Sequence, residues 1–288
     1  MQYAIIANPK SGGLTVDQKQ IRLKTASRIL NAKIHGLDTT SAAELTACAV
    51  ELNKQCDVLV VAGGDGTLSD IINAIYPDRI SLAYLPFGTG NAIRRTLAYR
   101  GGIGDIARRI RNGRPHHYDL ILCDKNRLSF LASVGIDGTA VKLWTRYRQQ
   151  GYSPKKAYFL ASTRAWIKVY RPGRICLTID ETEITIKKLL SLIVVPQPFF
   201  GLGMKVAPKA KWDDGRLHIC GIPSGWWNTA LAITTSFTIG NRAGIYKTGR
   251  KAVVQSEKPL TLQVDGDPGW ESDTFLFEVL PGVLRMQH

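Results

Sequence analysis

The chain has 288 residues, 44% of them hydrophobic, with 27 glycines, 13 prolines and a formal net charge of +15. That length accommodates two ordinary domains with cores of their own, and the composition excludes a disordered or fibrous chain. No apolar run reaches the roughly 18 residues of a membrane-spanning helix, and Met1-Gln2-Tyr3-Ala4 lacks a basic signal-peptide start, so a soluble cytoplasmic protein is expected. Cys48, Cys56, Cys123, Cys176 and Cys220 are odd in number and widely spaced, which favours reduced core residues over disulfides or a zinc site. The positive charge favours a polyanionic partner, either nucleic acid or an anionic bilayer, over a merely solvated basic surface.

Tyr3-Ala4-Ile5-Ile6-Ala7 reads as a first strand, stopped by Asn8-Pro9-Lys10-Ser11-Gly12-Gly13, whose free amides and hydroxyl suit a phosphate or a ribose. Residues 18–30 read as a helix. Ser41, three residues before Glu44, predicts a capped helix running to about Asn53, with Thr39 and Thr40 just ahead of it. The apolar run Val58-Leu59-Val60-Val61 predicts a buried parallel strand, and Gly63, Gly64 and Gly66 predict a turn with positive φ and close ligand approach. Apolar residues at 68, 71, 72 and 75 continue it as a helix, so the turn offers helix N-terminal amides to an anion. The competing reading is a tight connection without a ligand. Asp65 weighs against it, because a carboxylate facing phosphate needs a cation between them.

Residues 80–85 predict another strand, discharged into Pro86-Phe87-Gly88-Thr89-Gly90-Asn91-Ala92. Two such turns at the carboxyl ends of parallel strands line one cleft. Residues 94–114 are rich in arginine, and Gly102-Ile103-Gly104 is discounted as a dinucleotide fingerprint because no strand precedes it. His116 and His117 are expected in a surface turn. From Tyr118 onward the strands shorten (128–134, 174–179, 183–187, 189–195, 216–222, 252–256 and 260–264), predicting an antiparallel sandwich. Between them, residues 142–174 read as helical and interleave aromatic rings with cations, which suits an anionic bilayer surface or single-stranded nucleic acid. Asp213 and Asp214 are candidate ligands of a structural Mg²⁺, against a plain Asp-Gly turn. Trp226-Trp227 opens an apolar helix that is either core or a membrane-touching tip.

These motifs, in this order, resemble the diacylglycerol kinase and sphingosine kinase superfamily, more remotely related to NAD kinases. The resemblance rests on the Asn-Pro-Lys-Ser-Gly turn, Gly63-Gly64-Asp65-Gly66-Thr67, the Gly-Thr-x-Asn element at 88–91, Asp119-Leu120, Ser133-Val134-Gly135-Ile136-Asp137-Gly138, Asp214-Gly215-Arg216-Leu217 and Val264-Asp265-Gly266-Asp267. It implies a Rossmann-like doubly wound α/β domain over 1–118, rejoined by 281–288, and an antiparallel β-sandwich substrate domain over 119–280. It also implies a lipid kinase that uses ATP and Mg²⁺. Asn8, Lys10, Ser11, Thr39, Thr40, Gly63, Gly64, Asp65, Gly66, Thr67, Gly88, Thr89 and Asn91 would hold the nucleotide. Asp65 and Asp119 would fix waters of the metal, Asp137 would bind polar groups of the substrate, and Asp265 would be the general base. The sequence departs from many bacterial members at Ala92, where they carry Asp, and agrees there with sphingosine kinases. A diacylglycerol-like acceptor is the first expectation and a long-chain base the second. The expected partner is lipid at an anionic membrane surface, with peripheral attachment; nucleic acid is disfavoured, and homodimerisation is left open.

Overall fold

A computed structural model describes residues 1–76, 81–88, 90 and 92–288 of the chain. The predicted Ile80 strand start and the site candidates Thr89 and Asn91 lie outside the described residues. The chain divides into two compact units: Met1–Tyr118 with Gly201–Gly203 and Gly282–His288, and Asp119–Phe200 with Met204–Pro281.

The first unit runs β1 (Tyr3–Ala7), α1 (Val16–Leu30), β2 (Ile34–His35), α2 (Ala42–Asn53), β3 (Val58–Gly63), α3 (Asp65–Ile75), β4 (Ser81–Pro86), α4 (Ala92–Thr96) and α5 (Ile103–Asn112). Its strands are parallel in the order β2-β1-β3-β4, with Gly63 opposite Pro86 at the carboxyl ends of β3 and β4. Both β3 and β4 are buried along their whole length, as strands covered on two faces must be. Thr15 starts α1 with a full capping box through Gln18, and Ser41 caps α2 by accepting from Glu44 N. The turn glycines do not take positive φ. Gly63 ends a strand, Gly64 caps α3 at φ −95° and Gly66 lies in the helix; at Gly63 steric room beside Thr67, rather than handedness, requires the glycine.

The second unit contains β5 (Pro115–Cys123), β6 (Arg127–Ser129), β7 (Ala132–Gly135), α6 (Ile136–Gln149), α7 (Pro154–Arg164), β8 (Ile175–Ile179), β9 (Thr182–Ile186), β10 (Leu189–Val195), β11 (Leu217–Pro223), α8 (Trp226–Phe237), β12 (Ile245–Gly249), β13 (Lys251–Val264) and β14 (Asp267–Gln287). The start of β5 and the end of β14 belong to the first unit, where Met286 pairs parallel with Leu82 of β4. Strands β12-β11-β10-β7-β13-β14 pair antiparallel, with β8 and β9 continuing from β13. Their inward residues, among them Val134, Leu177, Leu192, Ile219, Val254, Phe275 and Phe277, form one apolar cluster. The expected α/β unit followed by an antiparallel β unit is thus the fold.

Several local expectations change. His116 and His117 lie in β5, not in a turn. The predicted 128–134 strand is broken at Phe130-Leu131, because that backbone turns aside to bond Asp265. Residues 252–264 lie in one strand with two register shifts against β14, and β12 and β14 are additions to the expected set.

Candidate functional site

In the first unit three turns meet at the ends of β1, β3 and β4. Asn8 N donates to the Ala62 carbonyl (3.0 Å), and the Phe87 and Gly88 amides both donate to Gly63 O (2.8 and 3.1 Å). The glycines permit this closeness. A Cβ on Gly63 would lie 2.6 Å from the Thr67 side chain, and one on Gly12 would meet the Phe87 carbonyl at 2.1 Å. Asn8 is the central tie: Oδ1 accepts from Lys10 N and Nδ2 donates to Thr67 Oγ1, each at 2.8 Å. Ser11 Oγ donates back to Asn8 O at 3.0 Å. Gly64 offers no side-chain cap, so the first amides of α3 keep their capacity for an anion.

Asp65 joins the second turn to the third. Its Oδ2 accepts from Ala92 N at 2.8 Å, and Oδ1 receives longer bonds from Tyr84 OH (3.3 Å) and Ile93 N (3.4 Å). Burial raises its pKa, partly offset by those amides. The residue expected to face metal therefore also caps α4. Thr39 and Thr40 shape the neighbouring loop: Thr39 Oγ1 donates to Gly36 O (2.7 Å), and Glu44 accepts from Thr40 N and Oγ1 (2.8 Å each). Lys10 Nζ reaches the Thr40 carbonyl.

Lys19 carries no motif in the sequence that marks it for the site. It is 1% exposed, its ammonium donates to the carbonyls of Asn8 (3.1 Å) and Pro9, and burial lowers its pKa. Beside the end of β4, Arg22, Arg94 and the start of α5 line a cavity of about 400 Å³.

In the second unit, Asp265 sits at the β13–β14 hairpin with φ +51°, followed by Gly266 at φ +97°, and is 7% exposed. Its Oδ1 accepts from Phe130 N at 3.1 Å and lies 3.0 Å from Ser129 Oγ. Ser129 has one proton, which either Asp265 or the Leu131 carbonyl (2.7 Å) can take. Asp119, 2% exposed, binds the Trp212–Gly215 segment: its N donates to Trp212 O (2.8 Å), its O accepts from Trp212 Nε1 (2.8 Å), and Oδ2 accepts from Gly215 N (2.6 Å). Asp137 opens α6 and accepts from Ser191 Oγ; burial lifts its pKa to about 6.

Asp213 and Asp214 are exposed. Asp214 is engaged by Arg216 N (3.1 Å) and by His218 Nε2 (3.0 Å), whose Nδ1 meets Tyr246 OH at 2.6 Å. That chain favours the Asp-Gly turn over a structural Mg²⁺ cage. Among the described residues no group of three His, Cys, Asp or Glu side chains could hold a metal. A cation carried mainly by nucleotide phosphates needs no such cage, since Mg²⁺ usually keeps waters and one or two carboxylates. Asp65 fits that part: among the described residues its Oδ1 makes only long bonds, and a nearby cation would offset the burial that disfavours its charge.

Residues 2–123 match the diacylglycerol kinase catalytic domain family, and residues 131–288 match the YegS C-terminal NAD kinase beta sandwich-like domain. The chain is similar to a probable lipid kinase YegS-like of Stenotrophomonas maltophilia (strain K279a), 27% identical over 83% of this chain and 81% of that one. It is likewise 27% identical to a diacylglycerol kinase of Staphylococcus saprophyticus, over 92% of this chain and 88% of the relative. Among solved structures, a diacylglycerol kinase of Bacillus anthracis str. Sterne shares the fold with a TM-score of 0.73 at 18% identity, covering 100% of this chain and 96% of that one.

Proposed function

The chain belongs to the diacylglycerol kinase family, and from that premise we propose that it transfers the γ-phosphoryl group of ATP to the hydroxyl of a diacylglycerol-like lipid at an anionic membrane surface. The observation that carries this reading is the stacking of three anion-accepting turns, tied by the Asn8–Thr67 and Asp65–Ala92 bonds. Backbone amides at 64–67, with Lys10 and Ser11, would hold the phosphates. Mg²⁺ arriving with ATP would neutralise charge on the transferring phosphoryl group. Asp65 would keep that ion's water shell oriented while its second oxygen holds α4 in place. Asp265, buried and fixed by Phe130 N, would accept the proton of the attacking hydroxyl, a contribution of roughly 10²–10⁴ in rate. Asp119 would join Asp65 in fixing the ion's waters while it holds Trp212 and Gly215 in place, and Asp137 is the candidate for polar groups of the acceptor.

A long-chain base is the second acceptor to test, because Ala92 supplies only its amide, not a side chain, to Asp65. Incubation with ATP, Mg²⁺ and a panel of diacylglycerol, sphingosine and NAD, read by product mass, tests the assignment. Phosphorylated lipid is expected, and phosphate on NAD alone would overturn it.

A further inference from the structure

We propose that α8 is a membrane-docking helix that seats its outer face in the interfacial layer of an anionic bilayer. The helix is amphipathic in the reverse sense. An ordinary surface helix turns its large apolar residues to the core and its polar ones to water. Here Thr229, Ala232, Thr235 and Ser236 face the core, whereas Trp226 (72% exposed), Trp227 (82%), Leu231, Ile233 and Phe237 face solvent, and Ile239 continues the face beyond the helix.

The Thr229 and Thr235 hydroxyls are satisfied locally, which is why burying them is tolerated. Thr229 Oγ1 donates to Gly225 O (2.8 Å), and Thr235 Oγ1 donates to Leu231 O (2.6 Å) and accepts from Arg242 N (3.1 Å). Nothing comparable accounts for the outward face. A run of large apolar side chains left in water is the kind of patch that marks an interaction surface.

Charge identifies the occupant. No residue of α8 is charged, and its ends are pinned to cationic segments: Ser224 N donates to Lys188 O (2.7 Å), Lys205 N to Ser236 O (2.7 Å), and Arg242 N to Thr235. Between residues 187 and 247 there are eight lysines and arginines against two acids, Asp213 and Asp214, and Asp214 is engaged by His218. A second copy docking through the same face would bring the cationic segments at the two ends of α8 against their own counterparts. An anionic bilayer supplies the opposite sign, while tryptophans settle at headgroup depth. The π-turn Ala165–Val169 adds Trp166 and Ile167 to the solvent-facing apolar set, and the Tyr170 that follows shares a buried cluster with Ala232 of α8.

The test uses the full chain, without ATP, in sedimentation with phosphatidylglycerol/phosphatidylcholine vesicles and with phosphatidylcholine vesicles alone. Wild type should sediment with the first only, with a blue shift of tryptophan emission. Trp226→Ser/Trp227→Ser should weaken the partition about tenfold or more and remove most of the shift, at an unchanged melting temperature. Leu231→Ser/Phe237→Ser should weaken it likewise. Equal partition of wild type and both variants, or no binding by wild type, would overturn the inference. So would a vesicle-free dimer that dissociates in the tryptophan variant. Turnover on detergent-dispersed lipid, measured separately, should be unchanged in the variant, so failure of the kinase reading leaves the vesicle result standing and the reverse also holds.

Discussion

Asp65 Oδ2 accepts a hydrogen bond from Ala92 N across 27 residues of chain, at 2.8 Å. One carboxylate thus caps α4 while carrying the charge expected beside the nucleotide's cation. The two roles separate by substitution. Asp65→Asn keeps an acceptor for the Ala92 amide and should melt within a few degrees of wild type, yet lose most turnover and need more Mg²⁺. Asp65→Ala should lose the same turnover and also about 1 kcal/mol of stability, the usual cost of a lost cap. Steady-state kinetics across Mg²⁺ concentration, paired with thermal melts, checks both.

Asn8 and Thr67 should be energetically coupled. A double-mutant cycle with Asn8→Ala and Thr67→Val should return about 0.5–1.5 kcal/mol in urea unfolding, since each single change leaves the other group unpaired. Additive effects would mean that the first two turns are not tied through this bond.

Lys19→Met removes a buried ammonium from the Asn8 and Pro9 carbonyls. Pro9 O then loses this donor while Asn8 O keeps Ser11 Oγ, so stability should fall by about 1–3 kcal/mol, and the KM for ATP should rise as the first turn loosens. Urea unfolding and initial rates read the two effects.

Asp137 should impose a pH dependence. Its folded pKa, about 6, is raised by burial above the ordinary 3.8, so folding favours its protonated form. Stability from this site is full below about pH 4 and is lost as pH rises through 6. Asp137→Asn stays neutral throughout, so its melting temperature should gain on wild type between pH 4 and pH 7. Parallel curves would contradict the assignment.

The strand ends and their turns were legible in the sequence, because an apolar run closing on glycines allows few other structures. The Asp65 cap was not: its partner is distant in sequence, and nothing local marks the Ala92 amide as needing an acceptor. Lys19 reads as one more solvated lysine, and only the carbonyls folded over it reveal its burial. In α8 the signal was present but ambiguous. An apolar helix opening on two tryptophans fits a core or a membrane equally well, and only the burial of Thr229, Ala232, Thr235 and Ser236 reveals that its large apolar residues face outward. The long last strand was hidden by Pro268, Gly269, Pro281 and Gly282, which read as breaks.

Phosphoryl transfer to a lipid alcohol with Asp265 as base is read out by product mass from wild type and Asp265→Asn given ATP, Mg²⁺ and dispersed diacylglycerol. Asn also adopts φ near +51°, so the hairpin should survive the change where Ala would strain it. Wild type should yield a lipid carrying one added phosphoryl group, and the variant the same product roughly 10²–10⁴-fold more slowly at unchanged ATP affinity. No phosphorylated lipid from wild type would contradict the claim outright, and equal yields would remove Asp265 from it.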